Sequence, residues 1–253
     1  MSKSRKVQLE KKIMIFLSSG VFIFSGLYAS NVQAAPVFSS GSASDSTVAG
    51  VNNTASANSS SAFGYFNTAG GLASSAFGWS NTASAENASA FGYVNEASGL
   101  ASSAFGFSNT ASGDNANAFG YNNIASGSKS NVFGTGNTVS GSSSTAVGTA
   151  NEVAAENSTA IGNNNTISSG AENSAALGNN ISISLKDSVA LGNNSTATAI
   201  NSVTGNSSYT KWAGVSDVVG VVSVGSSGAT RQIQNVAAGQ VSATSTDAVN
   251  GSQ

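Results

Sequence analysis

The residues that could carry chemistry in this chain are carboxylates and hydroxyls, because it contains no His and no Cys. Eight acids, Asp45, Glu86, Glu96, Asp114, Glu152, Glu156, Glu172 and Asp187, lie between positions 45 and 187. They fall in variable spacers instead of converging, whereas carboxylate catalysis needs two groups at a set separation. They read as solubilising charges and as protection for strand edges. Without His or Cys there is no Ser-His-Asp or Cys-His nucleophile, no common zinc site and no disulfide framework. No glycine-rich nonapeptide with regular Asp marks a calcium-binding coil. A partial ladder of Thr54, Thr68, Thr82, Thr110 and Thr138 could suit an ice surface, but Glu96, Ile124 and Glu152 interrupt it. No catalysis, cofactor or metal is expected.

The elements that would position these groups are not obvious from composition. Only 8% of the 253 residues are charged, there are 29 Gly and one Pro, and Ser, Thr, Asn and Ala fill much of the rest. Such a mixture suggests a disordered linker, since small polar side chains bury too little apolar area to offset chain entropy. The net charge of −2 also argues against nucleic acid.

Order along the chain overrides composition. Gly recurs at 50, 64, 78, 92, 106, 120, 134, 148 and 162, then at 178 after a two-residue insertion near Ser169-Gly170, and at 192. This is a fourteen-residue repeat in eleven copies. Before each Gly stands a bulky residue in ten of the copies: Phe63, Phe77, Phe91, Phe105, Phe119, Phe133, Val147, Ile161, Leu177 and Leu191. Before that is nearly always Ala. Asn stands three after the Gly from Asn53 to Asn165, and Gly and Asn are the residues that tolerate left-handed corners. Fourteen residues fit two strands of about five with two turns, one coil of a narrow parallel β-solenoid. Eleven coils at this spacing give a rod of about 50 Å.

Adjacent strand residues point to opposite faces. A thin interior suits Ala, so the bulky column should point outward, and a continuous exposed apolar ladder calls for burial against identical chains. The alternative puts the bulky residues inside and leaves a monomer. A second column, Tyr65, Trp79, Tyr93, Phe107 and Tyr121, follows the glycines at a predicted corner. It reads either as a contact ladder or as packing between chains.

The first 34 residues stand apart. Lys3, Arg5, Lys6, Lys11 and Lys12 precede an apolar run from Ile13 to about Tyr28, with small residues at the end. That is the layout of a secretory signal peptide, and the run is short for a membrane span. Its removal leaves four basic residues against ten acids, a net charge of −6. The expected organisation is residues 1–34 signal, 35–199 repeat head, and 200–253 connector and neck.

Beyond Gly192 the period stops. The runs Val221-Val-Ser-Val-Gly225, Arg231-Gln-Ile through Ala237-Ala-Gly239, and Thr246-Asp-Ala-Val-Asn250 resemble the neck of trimeric autotransporter adhesins. The repeats ending in Gly162, Gly178 and Gly192 resemble the YadA-like head of that family. The resemblance implies an all-β, left-handed parallel β-roll in a homotrimer. Its neck, here Arg231, Gln232, Ile233, Asp247 and Asn250, funnels the head onto a coiled-coil stalk and an outer-membrane barrel. This chain ends at Gln253 without heptads or membrane strands. It is expected to be a fragment, a truncated frame, or a protein attached through another.

The functional expectation is an exported, surface-exposed adhesive head that binds a host matrix protein or cell-surface glycan by multivalent contact. The alternative is a structural rod for autoaggregation or biofilm. Relatives with this head type are associated with collagen binding, which makes Asn157, Ser158, Asn173, Ser174, Asp187 and Ser188 the candidate ligand contacts. The lone charges Lys211, Asp217, Arg231 and Asp247 are expected to pair between chains.

Overall fold

The computed structural model describes residues 38–201 and 217–253. The signal segment and Lys211 lie outside them. All regular structure among the described residues is β, in strands β1 to β24 numbered along the chain. Each coil but the last, whose longer strand has three residues, contributes one five-residue strand and one two-residue strand, as in β4 (Ser61–Tyr65) and β5 (Thr68–Ala69). The second strand is shorter than the repeat length suggested. Two corners consume the difference.

The strands stack into two sheets, parallel throughout except for β1. One of eleven strands runs from β3 (Thr54–Ala55) to β23 (Thr196–Ala197). The other has thirteen and runs from β1 (Phe38–Ser40) through β2 (Thr47–Val51) and β22 (Val189–Leu191) to β24 (Val222–Ser223). Equivalent residues pair coil to coil, Phe105 with Phe119 and Gly106 with Gly120. At the insertion Thr159 pairs with Ala175, so the two extra residues leave the sheet as an exposed bulge at Ser169-Gly170.

Alanine fills the interior. Ala62, Ala76, Ala90, Ala104 and Ala118 are fully buried, as are Ala69, Ala83, Ala97, Ala111 and Ala125 on the opposite sheet. The bulky column points out of the coil, which excludes the arrangement with those residues inside. In the C-terminal half the interior is not restricted to small side chains. Val132, Val139, Val153, Ile167, Ile181 and Ile183 are also fully buried there.

The asparagines are not corner residues. The left-handed corner after each five-residue strand is taken by a neighbour, Phe66, Ser80, Val94, Ser108 or Asn122 in successive coils. The Asn that follows is buried. In Asn109, Nδ2 donates to Asn95 Oδ1 (3.0 Å), to the Phe105 carbonyl (2.9 Å) and to the Gly120 carbonyl of the next coil (2.7 Å). Its Oδ1 accepts from the backbone N–H and the Nδ2 of Asn123. This pattern runs from Asn53 to Asn165 and ends where Ile181 donates its N–H to Asn165 Oδ1. A core of alanine buries little apolar area per residue, and this ladder supplies the cohesion between coils that larger side chains would otherwise provide.

The glycine column has its own cause. Gly106 has φ +118°, and a Cβ there would stand 2.2 Å from the carbonyl oxygen of Gly120. Only a residue without Cβ allows the coils to stack at this point.

Both sheet edges of the solenoid are covered. At the start, β1 runs antiparallel to β2. At the end, β24 pairs with β22, and the N–H of Thr196 donates to the Gly225 carbonyl. An uncovered edge would template pairing with another chain.

Candidate functional site

What this molecule can do chemically is on its outer surface, and that surface is organised in columns. The bulky column stands on the outer face of the five-residue strands. Phe63, Phe77, Phe91, Phe105, Phe119 and Phe133 stack ring on ring, with centroids 4.7–5.4 Å apart and planes within 16°. Parallel in-register pairing at the natural strand spacing makes this stacking possible. Val147, Ile161, Leu177 and Leu191 continue the line and are 37–44% exposed. An apolar strip spanning ten coils is larger than the patches soluble monomers normally leave in water.

The second column, at the last residue of the same strands and one residue before the corner, is a second aromatic stack. Trp79 lies 4.4 Å from Tyr93, Tyr93 lies 4.8 Å from Phe107, and Phe107 lies 5.1 Å from Tyr121. Tyr65 joins more loosely at 6.1 Å. Phe66 adds an edge contact to Tyr65 at the corner itself. From Thr135 onward the column is polar: Thr149, Asn163, Asn179 and Asn193 follow.

The six residues read as ligand contacts divide into two groups. Asn157, Asn173 and Asp187 occupy left-handed corners, the first two exposed and Asp187 half-buried, where short polar side chains tolerate the backbone. Asn173 Nδ2 donates to Asp187 Oδ1 at 2.9 Å, linking two successive corners. Ser158, Ser174 and Ser188 are a correction: they are buried in the coil and cannot meet a ligand. Their hydroxyls form a ladder of their own. Ser144 Oγ accepts from the Ser158 N–H, Ser158 Oγ from the Ser174 N–H, and Ser174 Oγ from the Ser188 N–H. The alternation of the strand decides this, since the residue two before the inward Ala also faces inward.

Ser188 ends that ladder by accepting from the Val221 N–H at 3.1 Å, which ties the neck segment to the last coil. Arg231 completes the closure. Its guanidinium donates to the carbonyls of Val224 (2.7 Å) and Asn193 and to Ser195 Oγ, and it lies over Gly192. Asp247 Oδ2 accepts from the Gln240 N–H, and Asn250 Nδ2 donates to the Val236 carbonyl. Arg231 and Asp247 thus each have hydrogen-bond partners within the chain. Gln232 and Ile233 face solvent, Ile233 being 70% exposed. Among the described residues no cluster of three or more Asp or Glu could hold a metal ion.

The asparagine and serine ladders are the features that residue-type reasoning missed. The signal was available: Asn persists three after the Gly from Asn53 to Asn165 while the residue before it changes from Phe to Ser to Val. A corner tolerates such variation, and the buried asparagine ladder does not.

Comparison with known proteins adds the following. The YadA head domain repeat matches residues 42–67, 69–94, 97–123, 140–165 and 186–203. Among solved structures, the C-terminal YadA-like domain of a Burkholderia pseudomallei protein matches at 26% identity, with a TM-score of 0.26. That match covers 49% of this chain and 44% of the solved one, so the chain spans less than half the length of its structural relative. No curated protein matches it.

Proposed function

This chain carries YadA head domain repeats, and from that premise we propose that it is the adhesive head of a trimeric surface adhesin. The supporting observation is the apolar strip on the outer face of the solenoid, from Phe63 to Leu191. Three chains around an axis bury three such strips against one another and leave the other faces free. The core between chains then supplies the apolar burial that an alanine interior lacks.

In this reading residues 1–34 direct export and 35–199 form the head. Residues 200–253 form a connector and neck, with Arg231, Gln232, Ile233, Asp247 and Asn250 in the neck. The exposed Ile233 is suited to burial against a neighbouring chain. The protein works at the bacterial cell surface by contact, not catalysis. Its partners are itself and a host matrix protein or cell-surface glycan. Asn157, Asn173 and Asp187 present the same corner in successive coils, so weak contacts repeat along the rod and across three chains.

Two measurements test this. Sedimentation equilibrium of the purified chain should give three times the monomer mass, and a stable monomer at micromolar concentration refutes the assembly. Solid-phase binding to collagen, fibronectin and laminin should detect at least one ligand, lost when Asn157, Asn173 and Asp187 are replaced by Ala. No binding to any of the three removes the matrix-adhesion reading.

A further inference from the structure

We infer that the column Tyr65–Trp79–Tyr93–Phe107–Tyr121 is a self-association strip, which docks on the same column of a second copy of this protein in another assembly. The inference rests on the surface-rod reading for its setting.

The strip is confined. The five residues are 40–53% exposed and lie in five successive coils, after which the same position turns to Thr and Asn. No folding requirement accounts for the aromatics, because Thr135 and Thr149 hold the same strand position in unbroken register. Nor does the interior need them, since Ala fills it in those coils.

The occupant follows from ring geometry. Within the stack, planes of neighbouring rings lie within 15° and centroids 4.4–6.1 Å apart, so from Trp79 to Tyr121 the facing ring surfaces cover one another. A sugar ring would need an open aromatic face, and four of the five rings stand in one continuous tight stack. What the column offers outward is a row of ring edges, phenol hydroxyls and one indole at the coil spacing. A parallel, in-register column of this kind is one half of a dry zipper, whose matching half is an identical column at the same spacing. Another copy of this chain supplies that spacing automatically. The strip carries no charge to oppose the approach.

Its area sets the strength. Five half-exposed aromatic side chains offer roughly 400–500 Å² per strip. A stable specific interface needs about 800 Å² per partner. One strip pair is therefore weak and reversible, and it becomes effective through the several strips on each rod and the many rods on a surface.

The chain's own later repeats supply the test variant. In the full chain, Tyr65, Trp79, Tyr93, Phe107 and Tyr121 are all replaced by Thr, the residue that positions 135 and 149 carry. Sedimentation velocity over a wide concentration range should show the parent protein associating in steps of its whole basal assembly. The five-Thr variant should keep the basal assembly and weaken the further step at least about tenfold. The converse variant, Thr135→Tyr with Thr149→Tyr, lengthens the strip and should strengthen that step. Unchanged association in the five-Thr variant overturns the inference, and so does a parent protein with no step above its basal assembly. Loss of the basal assembly in a variant that keeps its β circular dichroism also overturns it, because the column then belongs to the seam between protomers. Matrix binding measured on the same variant is expected to persist, which separates failure of this inference from failure of the adhesion reading.

Discussion

Asn109→Ala is the substitution that most directly probes what holds one coil to the next. The side chain is fully buried, and its removal takes a donor from the Phe105 and Gly120 carbonyls and the acceptor from the Asn123 N–H. A buried polar group left without its partner costs about 1–3 kcal/mol. With partial relaxation the three together amount to about 3–5 kcal/mol, with no compensating apolar gain because a small cavity replaces the amide. Hydrogen exchange read by mass spectrometry suits the question, since solenoid coils open locally. Amides between 109 and 123 should exchange about 10² to 4 × 10³ times faster, as each 1.4 kcal/mol is a factor of ten. Asn53→Ala is the control. Asn53 begins the ladder and is half-buried, so water can replace its bonds, and the effect there should be about tenfold or less. Equal effects at the two positions, or less than a tenfold change at Asn109, would refute the claim that the ladder holds the stack.

Substitutions at four further positions test the glycine column, the neck closure and the serine column. Gly106→Ala should destabilise by about 3 kcal/mol or more, combining an unfavourable φ with a Cβ 2.2 Å from the Gly120 oxygen. Gly136→Ala, at φ +63° with nothing within 4 Å, should cost only about 1–2 kcal/mol when the two variants are compared by thermal unfolding. Arg231→Ala should expose the last coil, so that exchange rises in residues 189–197 and 219–225 while coils before residue 150 stay protected. Arg231→Lys should restore little, because an ammonium cannot span the Val224 and Asn193 carbonyls as the guanidinium does. Ser102→Ala should be neutral or stabilising by up to about 1 kcal/mol in chemical denaturation. The Ser102 hydroxyl is buried without a hydrogen-bond partner, and its ladder neighbours are Ala88 and Ala116.

The sequence by itself determined the repeat, the coil length and the division between an inward Ala and an outward bulky residue. Period and strand alternation are local properties, and a fourteen-residue register leaves few ways to place them. It also carried the resemblance to YadA-like heads, through the repeats ending in Gly162, Gly178 and Gly192. The tertiary structure decided which polar residues are interior. Asn and Ser are equally at home in a corner and in a buried ladder, and only stacking of equivalent atoms one coil apart gives a buried amide its partners. Hence Asn109 moved from corner to core, and Ser158, Ser174 and Ser188 moved from ligand contact to backbone support. The same holds for Arg231, whose acceptors at Asn193, Ser195 and Val224 come together only when the neck returns to the last coil. Spacing along the chain fixes which way a side chain points, and only the stack fixes what it meets there.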